Sequence, residues 1–105
     1  MVADIQITDA LVEIRKEIDG VDLQIIELLL KRFNLARKAA AEKESLDLVK
    51  DEEREEQIIK SAVEYTLSID SEIDENLIRS LFQSILAESR KQVAQEFIRT
   101  KGQNK

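Results

Sequence analysis

TDALVEIRKEIDGVDLQIIELLLKRFNLARKAAAEK, residues 8–43, is the stretch of sequence that decides the fold. Apolar residues recur in it every three or four positions, which is the period of an amphipathic helix. Thr8 or Asp9 is the predicted N-cap, since either side chain can accept a hydrogen bond from a free helix amide. The apolar stripe that we expect to be buried contains Leu11, Ile14, Ile18, Val21, Ile25, Leu28 and Leu35.

The length and the cations of this helix both predict a dimer. A helix over residues 8–43 is about 50 Å long, whereas a compact monomer of this size has a radius of gyration of about 13 Å. Arg32 and Lys43 lie within about 20° of each other on one face, but Arg15 and Arg32 lie about 100° and roughly 25 Å apart. One chain cannot bring all three cations to one small ligand, whereas two chains can.

The rest of the chain also favours helices. It contains no proline and only two glycines, so it has few of the residues that form tight turns. A second helix is predicted from near Asp51 to about Leu67, after a loop over residues 44–50. A third is predicted to begin after Asp74 as its N-cap and to end near Thr100. We therefore expect a single all-α domain over residues 1–105, with a long, a short and a long helix.

Composition excludes several classes of function. The chain of 105 residues is 43% apolar and 36% charged, as in soluble globular proteins. It has no cysteine or histidine, which removes disulfides, thiol catalysis and the commonest general base, and we expect no metal and no cofactor. The net charge of −6 argues against a nucleic-acid partner. No segment is typical of a secretion signal or a membrane span, so we expect no membrane association and a cytoplasmic location.

Three segments together resemble the all-helical chorismate mutase family, chorismate mutase type II. They read IRKEIDGVDLQIIELLLKRFNLARKAAAEK at 14–43, VKDEEREEQII at 49–59 and LFQSILAES at 81–89. The resemblance implies an intertwined helical homodimer with no cofactor. It also implies an isomerase that converts chorismate to prephenate in the shikimate pathway, toward phenylalanine and tyrosine.

The chemistry of that reaction fits the residues on independent grounds. The rearrangement is unimolecular, so it needs no nucleophile, metal or proton shuttle. The site must hold a dicarboxylate in its reactive conformer and stabilise negative charge that grows on the ether oxygen. Arginine offers a planar fork to a carboxylate, and lysine a compact charge suited to the ether oxygen.

The resemblance also assigns roles to individual residues. Arg32 and Arg15 would clamp carboxylates, with Arg15 donated by the partner chain. Lys43 would serve a carboxylate and the ether oxygen. Asp51 and Glu55 would meet the substrate hydroxyl, with Arg54 lining the same site and Ser89 assisting one carboxylate.

One position departs from the family pattern. The family usually has a glutamine or glutamate four residues after the serine, where it donates a hydrogen bond to the ether oxygen. Here that position is Val93, and Gln92 points about 100° away from the expected direction. A small rotation of the last helix would let Gln92 take the catalytic role. Otherwise Lys43 stabilises the developing charge alone.

Two other functions remain open from the sequence. An isochorismate-pyruvate lyase would use a very similar site, although Asp51 and Glu55 favour the mutase. The second alternative is a non-catalytic or regulatory helical dimer on the same scaffold. Its basis is Val93, which stands where the family usually has a hydrogen-bond donor.

Overall fold

A computed structural model describes residues 8–42 and 51–102 of the chain, with side chains described as far as residue 99. These ranges contain three helices. They are α1 (Asp9–Ala41), α2 (Glu52–Ile69) and α3 (Glu75–Gly102). No strand is present within the described ranges. The prediction of an all-α fold with three helices is confirmed.

Each helix begins where a side-chain oxygen accepts a hydrogen bond from a backbone amide. The hydroxyl of Thr8 accepts from the amide of Leu11 at 3.1 Å, so Thr8 rather than Asp9 caps α1. Oδ1 of Asp51 accepts from the amide of Arg54 at 3.0 Å, and Asp74 accepts in the same way before α3. All three starts agree with the sequence-based prediction, because N-capping depends on local chemistry.

The two later helices each extend two residues beyond their predicted ends. α2 ends at Ile69 instead of Leu67, and α3 at Gly102 instead of Thr100. After α2, the backbone amide of Asp70 donates to the carbonyl of Thr66 at 2.8 Å, which completes the last turn. Without a proline to stop them, the helices continue until a cap or a glycine ends them.

The chain divides into two units, of which the first is Met1–Arg32. The described part of this unit begins at Thr8 and consists of α1 as far as Arg32, and α1 continues into the second unit. Most of the apolar stripe predicted for burial is exposed in the isolated chain, with Ile18 at 52% and Leu28 at 65% of full exposure. Burial of this stripe in a homodimer stays a prediction.

The second unit, Phe33–Lys105, has a packed core between α2 and α3. Ile59 and Val63 of α2 and Leu86 of α3 are buried against one another. Four partly buried apolar side chains surround this cluster: Ile58, Leu67, Ile78 and Phe82. The core holds the first turns of α2 beside the middle of α3, where the candidate site lies.

The predicted loop over residues 44–50 and the predicted ligand Lys43 lie outside the described residues. The single domain over residues 1–105 stays a prediction. None of the helices in the described ranges is both long and apolar enough to span a membrane.

Candidate active site

A pocket of about 170 Å³ lies within the second unit, where its three helical segments meet. The end of α1 contributes small side chains, the first turns of α2 contribute charged ones, and the middle of α3 contributes both kinds. The lining residues are Ala36, Ala39, Asp51, Arg54, Glu55, Ile58, Leu86, Ser89, Arg90 and Val93. The pocket thus combines Asp51, Arg54, Glu55, Ser89 and Val93, all of which were predicted from the sequence to lie at the site.

The start of α2 orients the charged side of the pocket. Asp51 is the N-cap, and its Oδ1 accepts a hydrogen bond from the backbone amide of Arg54. One helical turn later, Glu55 lies on the same face as Asp51, since residues four apart are neighbours on a helix. Asp51 therefore has a structural role in capping α2, in addition to lining the pocket.

Ser89 and Val93 form the wall that α3 contributes. They are four residues apart, so they lie on one face of the helix. Both side chains are buried, each at 7% of full exposure, and both line the pocket. Val93 thus occupies the position expected for glutamine and presents methyl groups where a hydrogen-bond donor was expected.

Gln92 lies on a different face of α3, away from this lining. Its Oε1 accepts a hydrogen bond from Nη1 of Arg37 at 2.6 Å, and its Nε2 donates to Oε1 of Glu88 at 3.3 Å. Both interactions lie within the second unit, and they occupy both ends of the amide. The structure therefore does not bring Gln92 to the pocket, and its predicted catalytic role has no support from this arrangement.

Arg90 is a pocket residue that the sequence-based reasoning missed. Its Nη1 donates to Oε1 of Glu55 at 2.5 Å, so the ion pair joins α3 to α2. Arg90 directly follows Ser89 and precedes Val93 by three residues, which places it on the face that carries Val93. The available signal was the need of a pocket glutamate for a cationic partner, because the spacing alone would equally have favoured Gln92, three residues from Ser89.

This ion pair differs from three others in the described part of the chain. Lys16 with Glu13, Lys91 with Glu88 and Arg99 with Glu96 each join residues three apart on one helix, and their cations are 68 to 72% exposed. The hydrogen bond from Arg99 to Glu96, and then the charge of Glu96, raise the pKa of the Arg99 guanidinium above its usual value. By contrast, the side chains of Arg90 and Glu55 are 33% and 20% exposed.

The predicted cations of α1 lie elsewhere in the chain. Arg15 is exposed, Arg32 is half-buried, and both belong to the first unit. Lys43 lies outside the described residues. Their roles toward a ligand stay predictions.

The pocket is lined by both charged and apolar side chains. Two carboxylates and two guanidiniums line it, from Asp51, Glu55, Arg54 and Arg90, so their formal charges cancel. The apolar part of the lining consists of Ala36 and Ala39 of α1, Ile58 of α2, and Leu86 and Val93 of α3. Within the described ranges, no group of acidic side chains is arranged to hold a metal ion.

Comparison with known proteins identifies the family of the chain. The family described as chorismate mutase type II matches residues 14–94. A chorismate mutase from Methanocaldococcus jannaschii is 34% identical over 99 residues, which cover 92% of this chain and 97% of that protein. No solved structure is a significant match. The chain belongs to the chorismate mutase type II family, and the predicted family is confirmed.

Proposed function

We propose that the chain converts chorismate to prephenate as a homodimer, on the route to phenylalanine and tyrosine. The observation that carries the proposal is the pocket in which Asp51, Arg54, Glu55 and Ser89 converge, in a chain of the chorismate mutase type II family. The absence of cysteine is compatible with the cytoplasmic location that forms part of the proposal.

The proposed mechanism needs only a site that positions the substrate and places fixed positive charges around it. One carbon-oxygen bond breaks while one carbon-carbon bond forms within the same molecule, so no group of the protein becomes covalently attached. The site accelerates the reaction by holding the substrate in its folded conformer. It also places cations where negative charge grows on the ether oxygen.

We assign the cations as the family resemblance implies. Arg32 and Arg15 of the partner subunit bind the two carboxylates, because a guanidinium can donate two parallel hydrogen bonds to each. Lys43 reaches a carboxylate and the ether oxygen. Ser89, buried in the pocket wall, assists one carboxylate. Asp51 and Glu55 accept the hydrogen bond of the substrate hydroxyl from the start of α2.

The exposed apolar stripe of α1 supports the homodimer. Ile18, Val21, Ile25 and Leu28 are each about half exposed or more, which is a large apolar surface for one soluble chain. The pocket volume of about 170 Å³ is also below the roughly 300 Å³ at which ligand pockets usually begin. A second chain would cover the stripe and add the missing wall with Arg15.

Val93 makes the site different from the usual family pattern. It contributes an apolar wall where a glutamine would donate to the ether oxygen, and Gln92 is bound to Arg37 and Glu88. Lys43 then stabilises the developing charge without a second donor from α3. Loss of one such donor typically costs about 3 to 4 kcal/mol of transition-state stabilisation.

Turnover by the purified chain tests the activity. The absorbance of chorismate should fall, and the product should be prephenate; salicylate and pyruvate from isochorismate would indicate the lyase instead. Arg32→Ala and Lys43→Ala should abolish turnover and leave helicity unchanged, while Lys31→Ala, a neighbouring exposed cation, should leave turnover near that of the wild type. Full activity in both Arg32→Ala and Lys43→Ala would contradict the assignment.

Mixing two inactive variants tests the shared site. After subunit exchange between Arg15→Ala and Lys43→Ala chains, half of the dimers should be heterodimers in which one of the two sites is intact. The mixture should then recover about a quarter of the wild-type activity. Lys16→Ala, next to Arg15, is the matched control and should be active alone. No recovery after demonstrated exchange would contradict the donation of Arg15 across the interface.

A further inference from the structure

Glu55, which forms an ion pair with Arg90, would repel a negatively charged substrate in the pocket. The proposed substrate carries two carboxylates, and Glu55 lines the pocket that would receive it. Like charges repel most strongly where water is partly excluded, as it is around a side chain that is 20% exposed. A glutamate at this position is therefore unfavourable for binding unless a cation compensates its charge.

The charge around Glu55 is strongly acidic on the α2 side. Glu52, Glu53 and Glu56 accompany it in the first turns of α2, with Arg54 as the cation among them. From α3, Arg90 approaches to 2.5 Å. Arg90 thus brings a positive charge from the facing helix to the acidic start of α2.

Arg90 also stands between two cavities. Beyond the candidate active site, Arg90, Glu55 and Leu86 line a second pocket of about 300 Å³, which Glu52, Glu56 and Gln83 border as well. The guanidinium therefore fixes the Glu55 carboxylate at the boundary between an acidic cavity and the candidate active site. Arg90 and Glu55 belong to two helices that pack against each other, and the Arg90 side chain is only 33% exposed. The ion pair therefore keeps the Glu55 carboxylate in one place.

We propose that Arg90 is a positioning residue that holds the Glu55 carboxylate and compensates its charge, so that a dianionic substrate with a hydroxyl group can bind beside it. The proposal rests on the proposed function and adds a residue to it. Glu55 accepts a hydrogen bond from the substrate hydroxyl, and Arg90 acts by holding Glu55. Arg90 itself does not contact the substrate carboxylates.

Steady-state kinetics with paired variants test this role. Arg90→Met retains the length of the side chain and the wall between the two pockets but removes the charge. We expect it to raise KM for chorismate roughly 10- to 100-fold, the usual effect of losing a hydrogen bond to a charged group, with a smaller change in kcat. Arg90→Lys should recover part of the loss. Arg90→Gln, which keeps a donor for Glu55, gives the same test if Arg90→Met does not fold.

The double variant separates compensation from direct contact. Adding Glu55→Gln to Arg90→Met removes the uncompensated carboxylate, so KM should return to within a few-fold of the value for Glu55→Gln alone. A KM that stays as high as in Arg90→Met would show that Arg90 binds the substrate itself and would overturn the proposal. A purely structural ion pair would give lower thermal stability without this rescue of KM, which would overturn it too.

A control and the wild type complete the experiment. Arg99→Met removes the same group from the exposed ion pair with Glu96 on α3, so kcat and KM should stay unchanged. An active wild type with an unchanged KM in Arg90→Met overturns only the role of Arg90. A wild type without turnover overturns the proposed function, and the inference falls with it.

Discussion

The two units of the chain differ in how much of their apolar surface is buried. In Phe33–Lys105, the apolar faces of α2 and α3 cover each other, so Ile59 and Val63 are each 4% exposed. In the described part of Met1–Arg32, a single helix keeps side chains such as Leu28 exposed at 65%. The second unit buries a core within one chain, whereas no side chain from Thr8 to Arg32 is buried. The pocket thus belongs to Phe33–Lys105, and in the proposed homodimer Met1–Arg32 supplies Arg15 and Arg32.

The largest expected effect comes from charging the exposed apolar face of α1. Leu28→Glu places a carboxylate on the surface that the partner would bury, so we expect monomers and no measurable turnover. Size-exclusion chromatography with light scattering, followed by the chorismate assay, measures both. Ile69→Glu changes a side chain that is 71% exposed at the end of α2 and should leave both properties unchanged. An active Leu28→Glu dimer would show that this face is not the interface.

A core deletion in the second unit should cost stability directly. Leu86 is 5% exposed, and Leu86→Ala should lower the free energy of unfolding by about 2 to 5 kcal/mol, because it leaves a cavity between α2 and α3. Leu77→Ala on the same helix, at 48% exposure, should cost less than half as much. Urea denaturation at one protein concentration measures the two losses. Equal losses would indicate that a partner covers Leu77 as well.

Restoring the usual donor should improve catalysis by a moderate amount. Val93→Gln adds an amide to the pocket wall that α3 contributes, and we expect kcat to rise about tenfold. The gain is smaller than the full value of an oxyanion donor because the amide replaces a buried apolar group. Val93→Met, which is similar in length and has no donor, is the control. No gain in kcat for Val93→Gln would mean that another group already meets the ether oxygen.

The smallest expected effect concerns Gly20, in the middle of α1. A Cβ added there would have no described atom within 4 Å, so the single chain leaves room for alanine. Gly20→Ala should stabilise the protein by about 0.5 to 1 kcal/mol, through the higher helix propensity of alanine. Thermal unfolding at several protein concentrations measures this. A less stable and more weakly associated Gly20→Ala dimer would place the partner backbone against Gly20.

The sequence alone was sufficient for the starts of the helices and for several pocket residues, although not for Arg90. Periodicity and capping residues are local signals, so α1, α2 and α3 begin at their predicted caps. Asp51 and Glu55, one turn apart after a helix start, lie on one face by helix geometry alone. Ser89 and Val93 share a pocket wall for the same reason.

Tertiary structure decided which neighbours those residues have. The contact of Arg90 with Glu55 spans 35 positions, and that of Arg37 with Gln92 spans 55. No local pattern specifies such pairs, because they depend on how α2 and α3 pack and on where the end of α1 lies within the second unit. The same packing turned Gln92 away from the pocket and left Val93 in it. Local sequence chemistry determined where the helices begin and which residues share a helix face. Burial of the core between α2 and α3 determined which faces of different helices lie next to each other.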